Sequence, residues 1–153
     1  DLLDGKSRSA YVMTEPNTAS SDAAQLSFEA KKDGDKWVLN GEKWWIPGSG
    51  DPRCALYIVM ACSDPDAPKH SRHTMFVMDA DTPGIEILRP MQVFGHDDAP
   101  MGICTCALPT CACLPARLFW AKDAGLRLPK GGLDRGAFTI ACVRLDRRKK
   151  HWK

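Results

Sequence analysis

Leu26-Ser-Phe-Glu-Ala-Lys-Lys-Asp-Gly-Asp-Lys-Trp-Val-Leu-Asn-Gly-Glu42 is the stretch that decides the fold class of this chain. Two short runs flank Lys32-Asp-Gly-Asp-Lys36. Asp33-Gly34 between them is a hairpin signal, because a tight turn of this kind needs positive φ. The pattern predicts two strands here, a second turn at Asn40-Gly41, and a restart as a strand over Lys43-Trp-Trp-Ile46.

The same texture continues outward. Ala55-Leu-Tyr-Ile-Val-Met-Ala-Cys62 is an apolar run of strand length, bounded by Pro52 and Asp64-Pro65. His73-Thr-Met-Phe-Val-Met-Asp79 is another, closed by Thr82-Pro-Gly84, and Ile85-Glu-Ile-Leu-Arg89 alternates up to Pro90. No helical periodicity of useful length occurs before residue 100. Short strands at close spacing predict an all-β, antiparallel barrel or sandwich. His70, His73 and His96 lack metal-ligand spacing and are expected at the surface or in loops.

The texture changes after Gly102. Ile103-Cys-Thr-Cys-Ala-Leu-Pro-Thr-Cys-Ala-Cys-Leu-Pro115 carries neither helical nor strand alternation. Pro109, Pro115 and Pro129, with Gly125, Gly131, Gly132 and Gly136, interrupt every candidate element. A disordered or irregular tail that leaves the barrel incomplete, with an exposed edge, is the expectation. Cys104, Cys106, Cys111 and Cys113 admit a metal-binding extension, without a Cys-x-x-Cys or a histidine partner. The closing run Arg147-Arg-Lys-Lys-His-Trp-Lys153 admits a nucleic-acid contact, although charge runs are usually solvated ends.

Bulk properties are permissive. The 153 residues suffice for one domain with a modest core, and a formal net charge of +2 selects no partner. No apolar stretch approaches the roughly 18 residues of a membrane span. No signal-peptide pattern is present, and Asp1-Leu-Leu-Asp-Gly5 reads as a cut into a longer sequence. Seven cysteines, an odd count, argue against a disulfide framework and for a reducing compartment.

Tyr11-Val-Met-Thr-Glu-Pro-Asn-Thr-Ala-Ser-Ser-Asp22, followed by Leu39-Asn-Gly-Glu-Lys-Trp-Trp-Ile-Pro-Gly48, resembles the flavin-binding signature of acyl-CoA dehydrogenases, in order and at that family's spacing. The wording, with Asp51-Pro-Arg-Cys54, Asp64-Pro-Asp-Ala-Pro68 and Thr82-Pro-Gly-Ile85, leans toward the large long-chain subgroup with a kinase-like companion domain. The resemblance implies a linker from a preceding helical domain over 1–10, the middle β-domain over 11–102, and a tail over 103–153. It implies FAD as cofactor and α,β-desaturation of an acyl-CoA, as in fatty-acid β-oxidation. An electron-transfer flavoprotein is implied as electron acceptor, and a homo-oligomer as parent, with neither nucleic acid nor a membrane span involved. The cofactor-binding positions implied are Tyr11, Met13, Thr14, Ser20, Trp45, Ile46 and Pro47, with Ser21 bordering the acyl-CoA. Thr14 matches the threonine whose hydroxyl meets the pyrimidine edge, and Trp45 the tryptophan that covers the ring. The implied location is cytoplasmic in a bacterium, mitochondrial or peroxisomal in a eukaryote.

The chain also departs from that pattern. Pro47 stands where the family usually has threonine, and proline offers neither hydroxyl nor N–H. No segment resembles the region that carries the family's catalytic glutamate, so the chain alone is expected to be inactive and no catalytic residue is assigned. Reverse-translating 103–153 and starting each codon at the third base gives, with synonymous codons, a continuation that resembles the family: a last strand, a Val-Pro exit and a first helix. Loss of one base near the Gly102 codon is therefore expected, with the cysteine cluster and basic tail as its products.

Overall fold

The computed structural model describes residues 2–97, 102–108, 114–115 and 118–120. Strands β1 (Arg8–Val12), β2 (Glu29–Asp33), β3 (Lys36–Pro47), β4 (Cys54–Cys62) and β5 (His73–Asp79) form the body. They are followed by β6 (Glu86–Pro90), β7 (Gln92–Val93), β8 (His96–Asp97), β9 (Ile103–Leu108), β10 (Leu114–Pro115) and β11 (Leu118–Trp120). All but β7 and β8 belong to one curled sheet in the order β11-β5-β4-β2-β3-β9-β6, with β1 on β4 and β10 on β3. The all-β expectation holds. No described helix is long and apolar enough to cross a membrane.

Gly34, at φ +56, makes the predicted hairpin between β2 and β3, with Asp33 opposite Lys36. Asn40-Gly41 is not a turn: β3 runs through it without a break. Gly41 has φ +138, and the Phe28 ring lies where its Cβ would be, with Cδ2 at 2.8 Å. Close approach of an aromatic ring, rather than chain reversal, is what this glycine serves.

β4 is covered on both faces, hence its nearly unbroken apolar run. Tyr57, Val59 and Ala61 point into the main core with Ala10, Val12, Phe28, Leu39, Ile46, Phe76 and Cys106. Leu56 and Ile58 point the other way, against Val77, Tyr11 and Met75. The sheet is antiparallel apart from two parallel pairings, β1 along β4 and Glu29 of β2 against Cys62 of β4. The β1–β4 pairing is possible because β2 and β3 serve as the long crossover between them.

Two further corrections concern residues 103–108 and His73. Residues 103–108, expected to be irregular, form β9 and pair with both β3 and β6. Ladder bonding uses backbone groups and tolerates side chains without alternation, and Cys104 and Cys106 are compact enough to be buried there. The edge of this part of the sheet is therefore β6, whose residues are all exposed despite their alternating sequence. His73, expected at the surface, is buried at the head of β5, where its Nε2–H donates to the Leu26 carbonyl at 2.8 Å. His70 and His96 are exposed. β1 begins at Arg8, within the expected linker, and β9 follows directly on Gly102, at the start of the expected tail. Cys111, Cys113, Cys142 and the basic run at 147–153 lie outside the described residues.

Candidate functional site

Thr14 and Trp44 join the two motif stretches. The Trp44 N–H donates to the Thr14 carbonyl at 3.0 Å, and the Thr14 hydroxyl donates to the Trp44 carbonyl. One residue further on, the ladder between β3 and β9 breaks register: Lys43 faces Cys106, while Ile46 faces Cys104. An extra residue is thus accommodated on β3, a bulge of the kind that re-aims side chains. Trp45 sits in it at φ +51 and is 36% exposed. A bulky aromatic in this left-handed region is strained by about 1–3 kcal/mol, and such strain persists only where surroundings impose it. Trp44 packs edge-on against Trp45 with centroids 6.3 Å apart.

The far side of the bulge is held from within. The Ser49 hydroxyl donates to the Ile46 carbonyl at 2.8 Å, and the Tyr57 hydroxyl donates to the Ser49 carbonyl at 3.1 Å. Asp51, with its side chain buried, receives Arg53 through Nε at 3.0 Å and Nη2 at 2.9 Å, and Arg8 Nε at 3.3 Å. The Arg53 hydrogen bonds hold the Asp51 carboxyl below its usual range. The Asp51-Pro-Arg-Cys54 stretch thereby fastens the entry to β4 to the start of β1.

Below the wall lies a buried ion pair that the sequence did not announce. Lys43 Nζ, fully enclosed, donates to Glu15 Oε1 at 2.9 Å and to the Met13 carbonyl at 2.7 Å. It also lies 4.7 Å from the Phe28 ring centroid. Glu15 additionally accepts the Ser27 N–H at 2.8 Å and the Phe28 N–H at 2.9 Å. Burial alone would raise the Glu15 carboxyl, but the Lys43 bond and these N–H groups hold it below its ordinary value. Burial pushes Lys43 down to about 8, with Glu15 pulling the other way. A lysine on the same strand face as Gly41, two residues earlier, was the available signal.

The expected site residues divide accordingly. Met13 and Thr14, just past β1, are bonded to Lys43 and Trp44, the two residues before Trp45 on β3, whereas Tyr11 packs against Leu56, Ile58 and Val77 on the other face of β4. The Tyr11 hydroxyl reaches the sulfurs of Met60 at 3.7 Å and Met75 at 3.6 Å, and burial raises it to about 12. The Ile46 side chain is in the core, which leaves its backbone to face a ligand. Pro47 is exposed at the end of β3, opposite Ile103. The Ser20 oxygen accepts the Glu15 N–H at 2.8 Å, which commits it to shaping its own loop. Ser21 is exposed beside Asp22, and Asp22 is tied to Lys69 at 2.9 Å. Among the described residues, no group of three or more His, Cys, Asp or Glu side chains could hold a metal ion. Cys104 and Cys106 are buried free thiols, and burial raises Cys106.

Residues 10–107 match the family described as "Acyl-CoA dehydrogenase, middle domain". The chain belongs to the acyl-CoA dehydrogenase family. The chain is 40% identical over 144 residues to the Arabidopsis thaliana protein named "Probable acyl-CoA dehydrogenase IBR3", covering 94% of this chain and 17% of that one. It is 50% identical over 97 residues to "Probable acyl-CoA dehydrogenase FadE2" of Mycobacterium tuberculosis, covering 63% of this chain and 24% of the relative. The chain thus spans less than a quarter of the length of either relative. The plant alignment continues past β9 into the region where out-of-frame translation was expected. Among solved structures, a Mycobacterium abscessus protein assigned to the acyl-CoA dehydrogenases superposes with TM-score 0.71 at 42% identity, covering 74% of this chain and 28% of that one. A structure titled as an FAD-dependent dehydrogenase gives TM-score 0.61 at 26% identity, covering 72% and 28% of the two chains.

The residues fit a flavin in part. Trp45 offers an outward aromatic face, and Thr14 keeps two lone pairs, although its only O–H is spent on Trp44. Pro47 contributes no polar group of its side chain or N–H.

Proposed function

We propose that this chain forms the flavin-facing wall of an FAD-dependent acyl-CoA dehydrogenase that desaturates an acyl-CoA between its α and β carbons. Trp45 carries the reading: it is a large aromatic held outward at strained φ, one residue from the bonds that join both motif stretches. Tyr11, Met13, Thr14 and Trp45 would hold the isoalloxazine, with Ile46 and Pro47 lending backbone only. When bound, the flavin supplies the acceptor for the β-hydride. Trp45 would cover the ring and exclude water, and Thr14 would accept a hydrogen bond from a ring N–H. Ser21, exposed on the loop after the motif, would border the thioester end of acyl-CoA.

No base for the α-proton is assigned within this chain, and we propose that the chain is inactive by itself. The remaining parts of the reading are proposals of the same standing: a homo-oligomeric parent, an electron-transfer flavoprotein as acceptor, a kinase-like companion domain, and a compartment set by the source. The frameshift near the Gly102 codon is also a proposal. Sequencing codons 100–104 and the bases downstream decides it, and an intact frame through that region would remove it.

The wall itself is tested in a longer protein carrying this domain. Trp45→Ala should lower bound flavin per polypeptide and alter the flavin absorption spectrum. Unchanged flavin content and spectrum would overturn the assignment.

A further inference from the structure

Tandem tryptophans on a bulged strand pose a problem of register. Trp44 is half-buried and Trp45 exposed, yet a bulge displaced by one position would exchange them, since strand side chains alternate between faces. Backbone ladders alone discriminate weakly between such neighbours. A buried charge discriminates strongly, because a slip would strand it without its partner.

We propose that the Glu15–Lys43 ion pair is a positioning device that selects which of the two tryptophans faces outward on the flavin wall. Lys43 immediately precedes the tandem pair, and its side chain is 0% exposed, against 5% for Glu15. Its ammonium donates to Met13 and Glu15, while the next residue, Trp44, exchanges backbone and hydroxyl bonds with Thr14. Residues 13, 14 and 15 are therefore each fastened to 43 or 44. Glu15 is fixed in turn by the Ser27 and Phe28 N–H groups and by the Thr18 hydroxyl at 3.2 Å. Moving the bulge one residue toward the N-terminus would carry Lys43 out of this enclosure and abandon the Glu15 carboxylate inside it. An apolar pair of similar volume would fill the space as stably, but it would tolerate either register.

The proposal rests on the flavin reading only for its purpose; the placement of the indoles is measurable without flavin. The chain is labelled with 5-fluorotryptophan, its fluorine resonances are assigned with Trp44→Phe and Trp45→Phe, and a soluble paramagnetic agent reports solvent access. In the parent chain the Trp45 resonance should broaden more than that of Trp44. In Glu15→Leu/Lys43→Met, with β4–β5 amide protection retained, the difference should vanish or invert. Lys43→Arg, which keeps the charge, should preserve it. Persistence of the parental order in the folded double variant overturns the proposal. Should that variant fail to fold, Glu15→Gln is the second test, and an unchanged order there overturns it equally. Adding FAD to the labelled parent chain addresses the other reading: a Trp45 shift supports the flavin wall. Its absence counts against that wall while leaving the positioning result intact.

Discussion

Thr14 and Trp44, thirty residues apart, close a ring of two hydrogen bonds in which each residue both donates and accepts. Each motif stretch is thus the structural partner of the other before any ligand is considered. Replacing Thr14 with Val removes the hydroxyl donor and leaves the Trp44 carbonyl short of a partner. The expected loss is about 1 kcal/mol, read as a lower urea midpoint at unchanged slope. Thr14→Ser should recover most of it, and equal losses in both variants would deny the hydroxyl this role.

The Glu15 carboxyl should make the domain acid-labile. Its folded pKa lies below the ordinary 4.5 because the Lys43, Ser27 and Phe28 bonds outweigh burial. The unfolded chain therefore takes up the proton first as pH falls, and stability is lost from about pH 4.5 downward through the folded value. Thermal midpoints measured down a pH series should show this slope in the parent chain. In Glu15→Gln the slope should be shallower, although that variant starts about 3–5 kcal/mol less stable because Lys43 stays buried without its counter-charge.

Gly41→Ala should be among the costlier single changes. The new Cβ meets the Phe28 ring at 2.8 Å with φ at +138, so overpacking adds to backbone strain. A cost of roughly 2–4 kcal/mol follows. Gly34→Ala is the control: its φ is +56 with nothing within 4 Å, so only the backbone term of about 1 kcal/mol applies. Equal denaturation midpoints for the two variants would contradict the contact with Phe28.

Phe94 and Gly95, at φ +51 and +81, turn the chain between β7 and β8 with Val93 opposite His96. Both positive angles suit Asn-Gly, whereas Phe94 is 99% exposed and strained. Phe94→Asn should stabilise the hairpin by a few tenths to about 1 kcal/mol, seen as slower amide exchange at Val93 and His96. Faster exchange would show that the phenyl ring contributes something to the hairpin that its exposure conceals.

Cys104 and Cys106 should resist alkylation in the native chain. Both are buried, Cys106 is raised by burial, and Cys54 is pushed up to about 11 by the same cause. Peptide mapping after iodoacetamide treatment near neutral pH should find 104 and 106 unlabelled until denaturant is added. Rapid native labelling at both would contradict their burial in β9.

Much of this was legible in the residues. The β4 and β5 runs and the Asp33-Gly34 hairpin follow from apolar length and turn chemistry, which are local properties. The two motif stretches meet through the bonds of Met13 and Thr14 to Lys43 and Trp44. Gly41 misled because a glycine after asparagine serves a turn or a close approach equally well. Only the Phe28 ring, folded over from β2's side, decides between them. His73 and residues 103–108 misled for a related reason: burial and ladder pairing depend on what lies opposite.

By itself, then, the sequence determined the strand-forming segments, the family and the outward tryptophan as a candidate, because propensity and motif order act along the chain. Tertiary structure alone decided that Lys43 is enclosed against Glu15, that the β3 bulge holds Trp45 at strained φ, and that β9 lies inside the sheet. Those outcomes depend on groups distant in sequence meeting where solvent is excluded. Desolvation and hydrogen-bond pairing act there between residues that no local pattern connects.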